Sequence, residues 1–252
     1  MLRYSSRFWL YAPISLFLAL AVAAILHWFW AAGAFEKKLA ALKGGEIAPG
    51  IVVDWQSARI GGFPFRIDAD FTDLSLKGAG AHGPFAWSSE RFALHALTYG
   101  RQQDIFEAAG TQRFVWMAPE GAVRSVFFLP ATFRASAILD ARGLARFDLD
   151  ILDAGGRDQR GRPFTAARTQ FHMRRDPDGQ SLDVMASADA LKSEALSFAK
   201  LRAYWTLTEA EALMPLLAGK AKWPEALAAW RAKGGAVKAG PGTVPGLLTP
   251  LL

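Results

Sequence analysis

From Phe8 to Phe35 the chain carries not one Asp, Glu, Lys or Arg, and the stretch FWLYAPISLFLALAVAAILHWFW is apolar apart from Ser15 and His27. A helix rises about 1.5 Å per residue and a bilayer core is about 30 Å thick, so roughly 20 such residues span it. Trp9 and Tyr11 stand near one end of the run and Trp28 and Trp30 near the other, where amphipathic rings favour the headgroup region. Pro13 falls in the first turns, where a missing backbone donor costs least. Arg3, Arg7 and the free amino terminus precede the run without an acid, whereas Glu36 and Glu46 dilute Lys37, Lys38 and Lys43 beyond it. This bias places the N-terminus in the cytoplasm and the bulk of a bacterial chain in the periplasm, as a single-pass inner-membrane protein. The alternative is a cleaved signal peptide, because Ala32-Gly33-Ala34 has the small-x-small form. The apolar run is longer than a secretory core of about 7–15 residues, and bulky Trp28-Phe29-Trp30 crowds the cleavage position, so a retained anchor is expected.

Beyond the anchor the sequence reads as mainly β. Phe35, Leu39 and Leu42 fall at helical spacing and Gly44-Gly45 ends that helix; from Ile51 onward the period is two. Phe63, Phe65, Ile67, Ala69 and Phe71 share one face and Arg66, Asp68 and Asp70 the other, and after Thr72-Asp73 the apolar phase flips to Leu74 and Leu76, as at a bulge. The alternation recurs around Phe133, around Phe147, around Phe171, at Leu182 to Ala186 and at Leu201 to Leu207. Turn signals separate these runs at Ala118 to Gly121, Asp140 to Gly143, Gly155-Gly156 with Gly161, and Asp176 to Gly179. About ten strands joined by short turns predict a curved antiparallel meander sheet with one dry face. Two short C-terminal helices are expected, Thr208 to Leu217 behind a capping-box-like Thr208-Glu209-Ala210-Glu211, and Trp223 to Lys233 stopped by Gly234-Gly235. The organisation is thus 1–34 cytoplasmic tail and anchor, 35–50 linker helix, 51–235 periplasmic β-rich domain and 236–252 a loosely ordered tail. Two short helices are too few to shield the dry face, so the sheet is expected to curve onto itself, meet a partner or hold an apolar ligand. The residues expected to touch such a ligand are Phe63, Phe65, Phe71, Phe133, Phe147, Phe171 and Trp205.

No catalytic, cofactor or metal motif occurs. Absence of cysteine excludes disulfides, a thiol nucleophile and thiolate-bound metals. His27, His82, His95 and His172 lie on separate segments, and no Walker loop, H-E-x-x-H, nucleophile elbow or dinucleotide fingerprint is present. Asp68 and Asp70 imitate a carboxylate pair but read as a solvated strand face; an envelope hydrolase would need Asp68 or His95 to act. A net charge of +6 is spread among acids on strand faces, so an anionic membrane surface is a nearer partner than nucleic acid. The expected partners are the inner membrane and a lipid or other apolar envelope component, with a protein partner recruited at the sheet face or edge as the alternative. No enzymatic activity is expected.

Gly61-Gly62-Phe63-Pro64-Phe65-Arg66, behind a Val-rich strand with Trp55 and an N-terminal anchor, resembles the GFPFR signature of an uncharacterised alphaproteobacterial envelope family, domain of unknown function 2125. The resemblance runs on through the Trp87 and Pro119 region to Trp230, Arg231, Gly234 and Gly235. In outline such proteins are similar to AsmA-like envelope proteins, which place an inner-membrane helix before one-sided β-structure and are associated with lipid handling; the resemblance implies a similar setting. On physical grounds alone the motif is a packed hairpin: its glycines allow a tight entry and Pro64 suits a strand start. Family members generally continue with strands beyond the Gly-Gly pair, whereas Ala236 to Leu252 carries no charge after Lys238.

Overall fold

The structure, a computed structural model, describes residues 6–80, 83–97, 103–194 and 196–240. Helix α1 (Ser6–Leu42) is continuous, so the apolar run and the expected linker helix are one rod. Gly44 takes a left-handed φ of 70° and Gly44 N donates to Val53 O, while Val53 N donates to Gly45 O, which hands the helix end directly to the sheet edge. The strands are β1 (Glu46–Ala48), β2 (Ile51–Asp54), β3 (Ser57–Gly61), β4 (Arg66–Gly80), β5 (Gly83–Leu97), β6 (Gln103–Met117) and β7 (Val123–Leu129). They continue as β8 (Thr132–Asp140), β9 (Gly143–Asp158), β10 (Pro163–Arg175), β11 (Leu182–Ser193), β12 (Ser197–Leu207) and β13 (Val237–Ala239). All pair antiparallel in one sheet ordered β1-β2-β4-β5-β6-β7-β9-β10-β11-β12-β13; β3 prolongs β2 along β4, and β8 prolongs β7 between β6 and β9.

A transverse crease crosses this sheet. Trp55-Gln56 breaks the β2/β3 strand opposite Asp73, and Pro130-Ala131 breaks the β7/β8 strand opposite Asp153. Asp73, Gly110, Asp153 and Ala190, all on this line, have left-handed φ values of 49°, 76°, 49° and 50°. A left-handed residue inserted into a strand shifts the alternation by one, so the inward residues on either side are three apart rather than two. Phe71 and Leu74 in β4, and Ile151 and Ala154 in β9, are accordingly all buried. The strands bend sharply there: Trp87 and Phe92, five residues apart and about 17 Å apart in a straight strand, bring their ring centroids within 5.8 Å, and Phe128 and Phe133 within 6.4 Å. The dry face therefore folds onto itself, as one of the three expected solutions required. The flip after Asp73 was readable in sequence because large side chains flank it on both sides; at Ala190 the small Ala188 on one side hides it.

At Ala190 the left-handed backbone presses on a Cβ that contributes no hydrogen bond in return. Ala190→Gly is expected to raise stability by about 0.5–1 kcal/mol, read as a higher thermal midpoint; an unchanged or lower midpoint contradicts the crease geometry.

The two ends of the dry face are capped by helices. Phe35, Leu39 and Leu42 of α1 lie on the cluster Val53, Trp55, Ala69, Phe71 and Leu74, which is the use of the helical spacing seen in sequence. At the other end a 3-10 turn (Ala210–Leu213) leads into α2 (Met214–Leu217), followed by α3 (Trp223–Ala232). The expected capping box does not form: Glu209 is left-handed, and the Thr208 hydroxyl instead accepts from Ala236 N. The late Trp-Arg…Gly-Gly stretch is a Schellman end, with Gly234 N donating to Arg231 O and Gly235 N to Trp230 O, and the Trp230 Nε1 donating to Thr208 O at 2.6 Å. These helices touch both Gly143, at the start of β9, and Gly50, beside β2. β2 and β9 are separated in the ladder by β4, β5, β6 and the β7/β8 strand, so the sheet twists and bends between them to bring both to one helical corner. Gly155-Gly156, expected in a turn, lies within β9; the reversal comes at Gln159 to Arg162. Of the expected loose tail, Val237–Ala239 forms β13, and residues 241–252 lie outside the described residues.

Candidate functional site

The seven residues expected to touch an apolar ligand fall in three places. Phe63 and Phe65 are not on the sheet face at all, because β4 begins only at Arg66; both rings stand exposed in the turn between β3 and β4. There Phe63 meets Trp28 and Phe29 of α1 with centroids 5.3 and 6.2 Å away, and Trp28 Nε1 donates to Arg66 O at 2.8 Å. Gly62 permits this turn: with φ 89°, a Cβ there would lie 2.6 Å from Arg66 O.

Phe71 and Phe133 belong to the filled fold of the crease, joined through Phe92 and Trp87 by successive ring contacts of 6.1, 5.8 and 6.0 Å. The crease floor also holds two buried polar residues that sequence reading missed. Gln112 Nε2 donates to Ser89 Oγ at 2.9 Å and to Gly110 O at 3.1 Å, and Ser89 Oγ donates to Arg91 O at 2.7 Å. Both side chains bond to carbonyls of the bent strands, while Gln112 Oε1 is buried without a hydrogen-bond partner among the described residues.

Phe147, Phe171 and Trp205 form the third group. Register places Ala137, Phe147, Met173, Val184 and Trp205 in one row across β8 to β12, with Phe171 in the neighbouring row and 6.2 Å from Phe147. Phe147, Met173, Val184 and Phe171 are only half-buried, unlike the capped ends of the face. Trp205 is 7% exposed, and among the described residues its Nε1 has no hydrogen-bond partner.

The polar face carries a repeated station. Arg66, Asp68, Asp70 and Asp73 recur eighty positions later as Arg146, Asp148, Asp150 and Asp153, and Asp73 and Asp153 are both left-handed crease residues. In each copy a histidine of the next strand faces the first aspartate: His95 Nδ1 lies 2.7 Å from Asp68 and His172 Nδ1 2.7 Å from Asp148, with Arg66 at 2.9 Å and Arg146 at 2.6 Å on the other carboxylate oxygen. An ionised carboxylate only accepts, so Nδ1 carries the hydrogen. Burial pushes the Asp148 carboxyl up, but the hydrogen bonds from His172 and Arg146 outweigh it and hold it below the usual carboxylate range. A cleft of about 670 Å³ opens beside this second station, lined by Arg174, Asp183, Met185, Tyr204 and Thr206. The Thr206 hydroxyl is engaged with Asp183 at 2.9 Å. Flanking pairs such as Arg168 with Asp150 and Arg134 with Glu107 continue the ladder, so the arrangement is a solvated, charge-paired strand face as expected for Asp68 and Asp70. Among the described residues no group of three or more metal-ligating side chains converges.

A carboxylate whose folded value is depressed stabilises the fold above its unfolded value, near 3.9, and loses that contribution as pH falls through the folded value. Asp148→Asn is therefore expected to be less stable than the parent at pH 7, with the gap closing as the pH falls from about 4 downward. Denaturant unfolding of both proteins across that range checks it; a gap independent of pH would contradict the station's charge.

No curated protein and no solved structure matches the chain. A family model described as uncharacterized protein conserved in bacteria matches residues 28–241, from the aromatic end of the apolar helix through β13, so the repeated stations, the crease and the helical corner all lie within it. The chain belongs to this family, DUF2125.

Proposed function

We propose that this chain is an inner-membrane-anchored, periplasm-facing β-domain that binds rather than transforms, seating the acyl chain of a lipid, or a comparable apolar envelope component, on the row Ala137, Phe147, Met173, Val184 and Trp205. The observation that carries this reading is the pairing of a half-buried apolar row with a buried indole N–H that has no acceptor among the described residues. A buried donor without an acceptor costs about 1–3 kcal/mol, and an amphiphile with an ester carbonyl offers both the apolar surface and the missing acceptor. The uncharged stretch Phe8 to Phe35 of α1 supports the membrane location, and the Arg3 and Arg7 bias supports the orientation.

The test uses the full chain in nanodiscs containing phosphatidylglycerol with a photoactivatable acyl chain. Cross-linked peptides are expected from β9 to β12, and Phe171→Asp is expected to reduce them at least tenfold while the circular dichroism spectrum persists. Cross-links confined to α1, or unaffected by Phe171→Asp, would overturn the reading. The scaffold alternative has one observation in its favour: among the described residues β12 is paired on its outer side only at Trp205 to Leu207, which leaves Ser197 to Ala203 as an edge suited to strand addition. Lys200 and Arg202 on that edge work against indiscriminate pairing. Stoichiometric cross-linking of one protein to β12 in cells would favour this second reading.

A further inference from the structure

We infer that the turn Gly62 to Phe65 is a second membrane contact, a foot that rests in the headgroup region of the leaflet from which α1 emerges; this rests on reading α1 as a retained anchor. The placement follows from the helix. Trp9 and Trp28 are separated by about 29 Å of helix rise, the thickness of a bilayer core, so an anchor that sets Trp9 at one interface sets Trp28 at the other. Phe63 touches Trp28 edge-on at 5.3 Å, and Trp28 Nε1 is bonded to Arg66 O, so the turn is fixed at that level and not merely near it.

What the turn presents there is apolar. Phe63 is 53% and Phe65 59% exposed, and on the helix beside them Phe29 is 62% and Trp30 72% exposed. Four large exposed rings at one level of the helix are costly in water, whereas aromatic rings are stable at the membrane interface. Arg66, at the same turn, is paired through Nε with Asp68, and its exposed guanidinium adds positive charge suited to lipid phosphate. Above this level α1 continues along the sheet, with Phe35, Leu39 and Leu42 against the inner cluster. The first strands therefore stand beside the helix, with the turn at the bilayer and the opposite turn, Ala118 to Ala122, at the far end of β6. Two contacts, a span and a foot, hold that part of the sheet in one orientation where a single helix would leave it free to pivot.

The chain has no native cysteine, so single labels report without background. The full chain carrying Phe65→Cys, Phe63→Cys, Ala21→Cys or Ala122→Cys is labelled with an environment-sensitive fluorophore. Each is reconstituted in phosphatidylcholine/phosphatidylglycerol nanodiscs with or without a lipid spin-labelled near the headgroup. The labels at 65 and 63 are expected to be quenched at least twofold more than the label at 122, with the label at 21 responding to a spin label deep in the acyl chain. If the label at 21 is quenched while 65 and 63 behave like 122, the anchor stands and the foot is refuted. If the label at 21 is not quenched by the deep spin label, the anchor reading fails and the foot falls with it.

Discussion

Gly156→Val is expected to cost more than about 4 kcal/mol, in the range reserved for overpacking against backbone, whereas Gly155→Val, one residue earlier, is expected to be neutral or slightly stabilising. A Cβ built at Gly156 lies 2.2 Å from Phe127 O and 2.7 Å from both the Phe128 Cβ and the Phe164 ring, and a carbonyl held in the ladder cannot yield as a side-chain tip does. At Gly155 nothing lies within 4 Å, and a β-branched residue suits an extended strand. Thermal unfolding of the two variants checks the contrast, and hydrogen exchange locates it: protection is expected to be lost first in β7, which pairs with β9 over Leu129 to Val126. Equal effects at the two positions would contradict the placement of the pair inside a strand.

Gln112→Ala is expected to destabilise by about 3–4 kcal/mol, the sum of a cavity and of buried acceptors left without donors, which lowers the thermal midpoint by roughly 10 °C in a domain of this size. Gln112 is fully buried, and its amide serves Ser89 and the carbonyls of Ala109 and Gly110 where the crease interrupts the ladder. Gln112→Met keeps most of the volume and removes the amide, so it separates the two contributions: about half of the loss is expected to remain. If Gln112→Met matches the parent, the polar floor of the crease carries no stability, and packing alone explains the residue.

The mainly β character, the long apolar helix, the helix stop at Gly44-Gly45 and most turns were legible because each is a local signal. An uncharged run, a period of two and a left-handed glycine all act within a few residues. The flip after Asp73 was visible for the same reason, with Phe71 and Leu74 both large. Gly155-Gly156 misled because glycine pairs usually mark turns; here Gly156 is required by the Phe128 and Phe164 groups packed against it, a contact between strands. Phe63 and Phe65 misled in the opposite way. Their alternation with Ile67 is perfect, yet the turn extends through Phe65, and α1, more than thirty residues earlier, determines what Phe63 touches. The Arg-x-Asp-x-Asp repeat could have been found by aligning residues 66–73 with 146–153, but nothing local links either copy to its histidine on the next strand.

By itself the sequence determined that one helix is apolar enough to cross a bilayer and that the rest alternates as one-sided strands, since both follow from the polarity of neighbours a few residues apart. Only the tertiary structure decided that the strands crease along a common line, that the dry face closes largely on itself, and that a half-buried row survives between Phe147 and Trp205. Those outcomes depend on register across eight or more strands and on accumulated twist, quantities set by pairing partners far apart in the chain and by no residue alone.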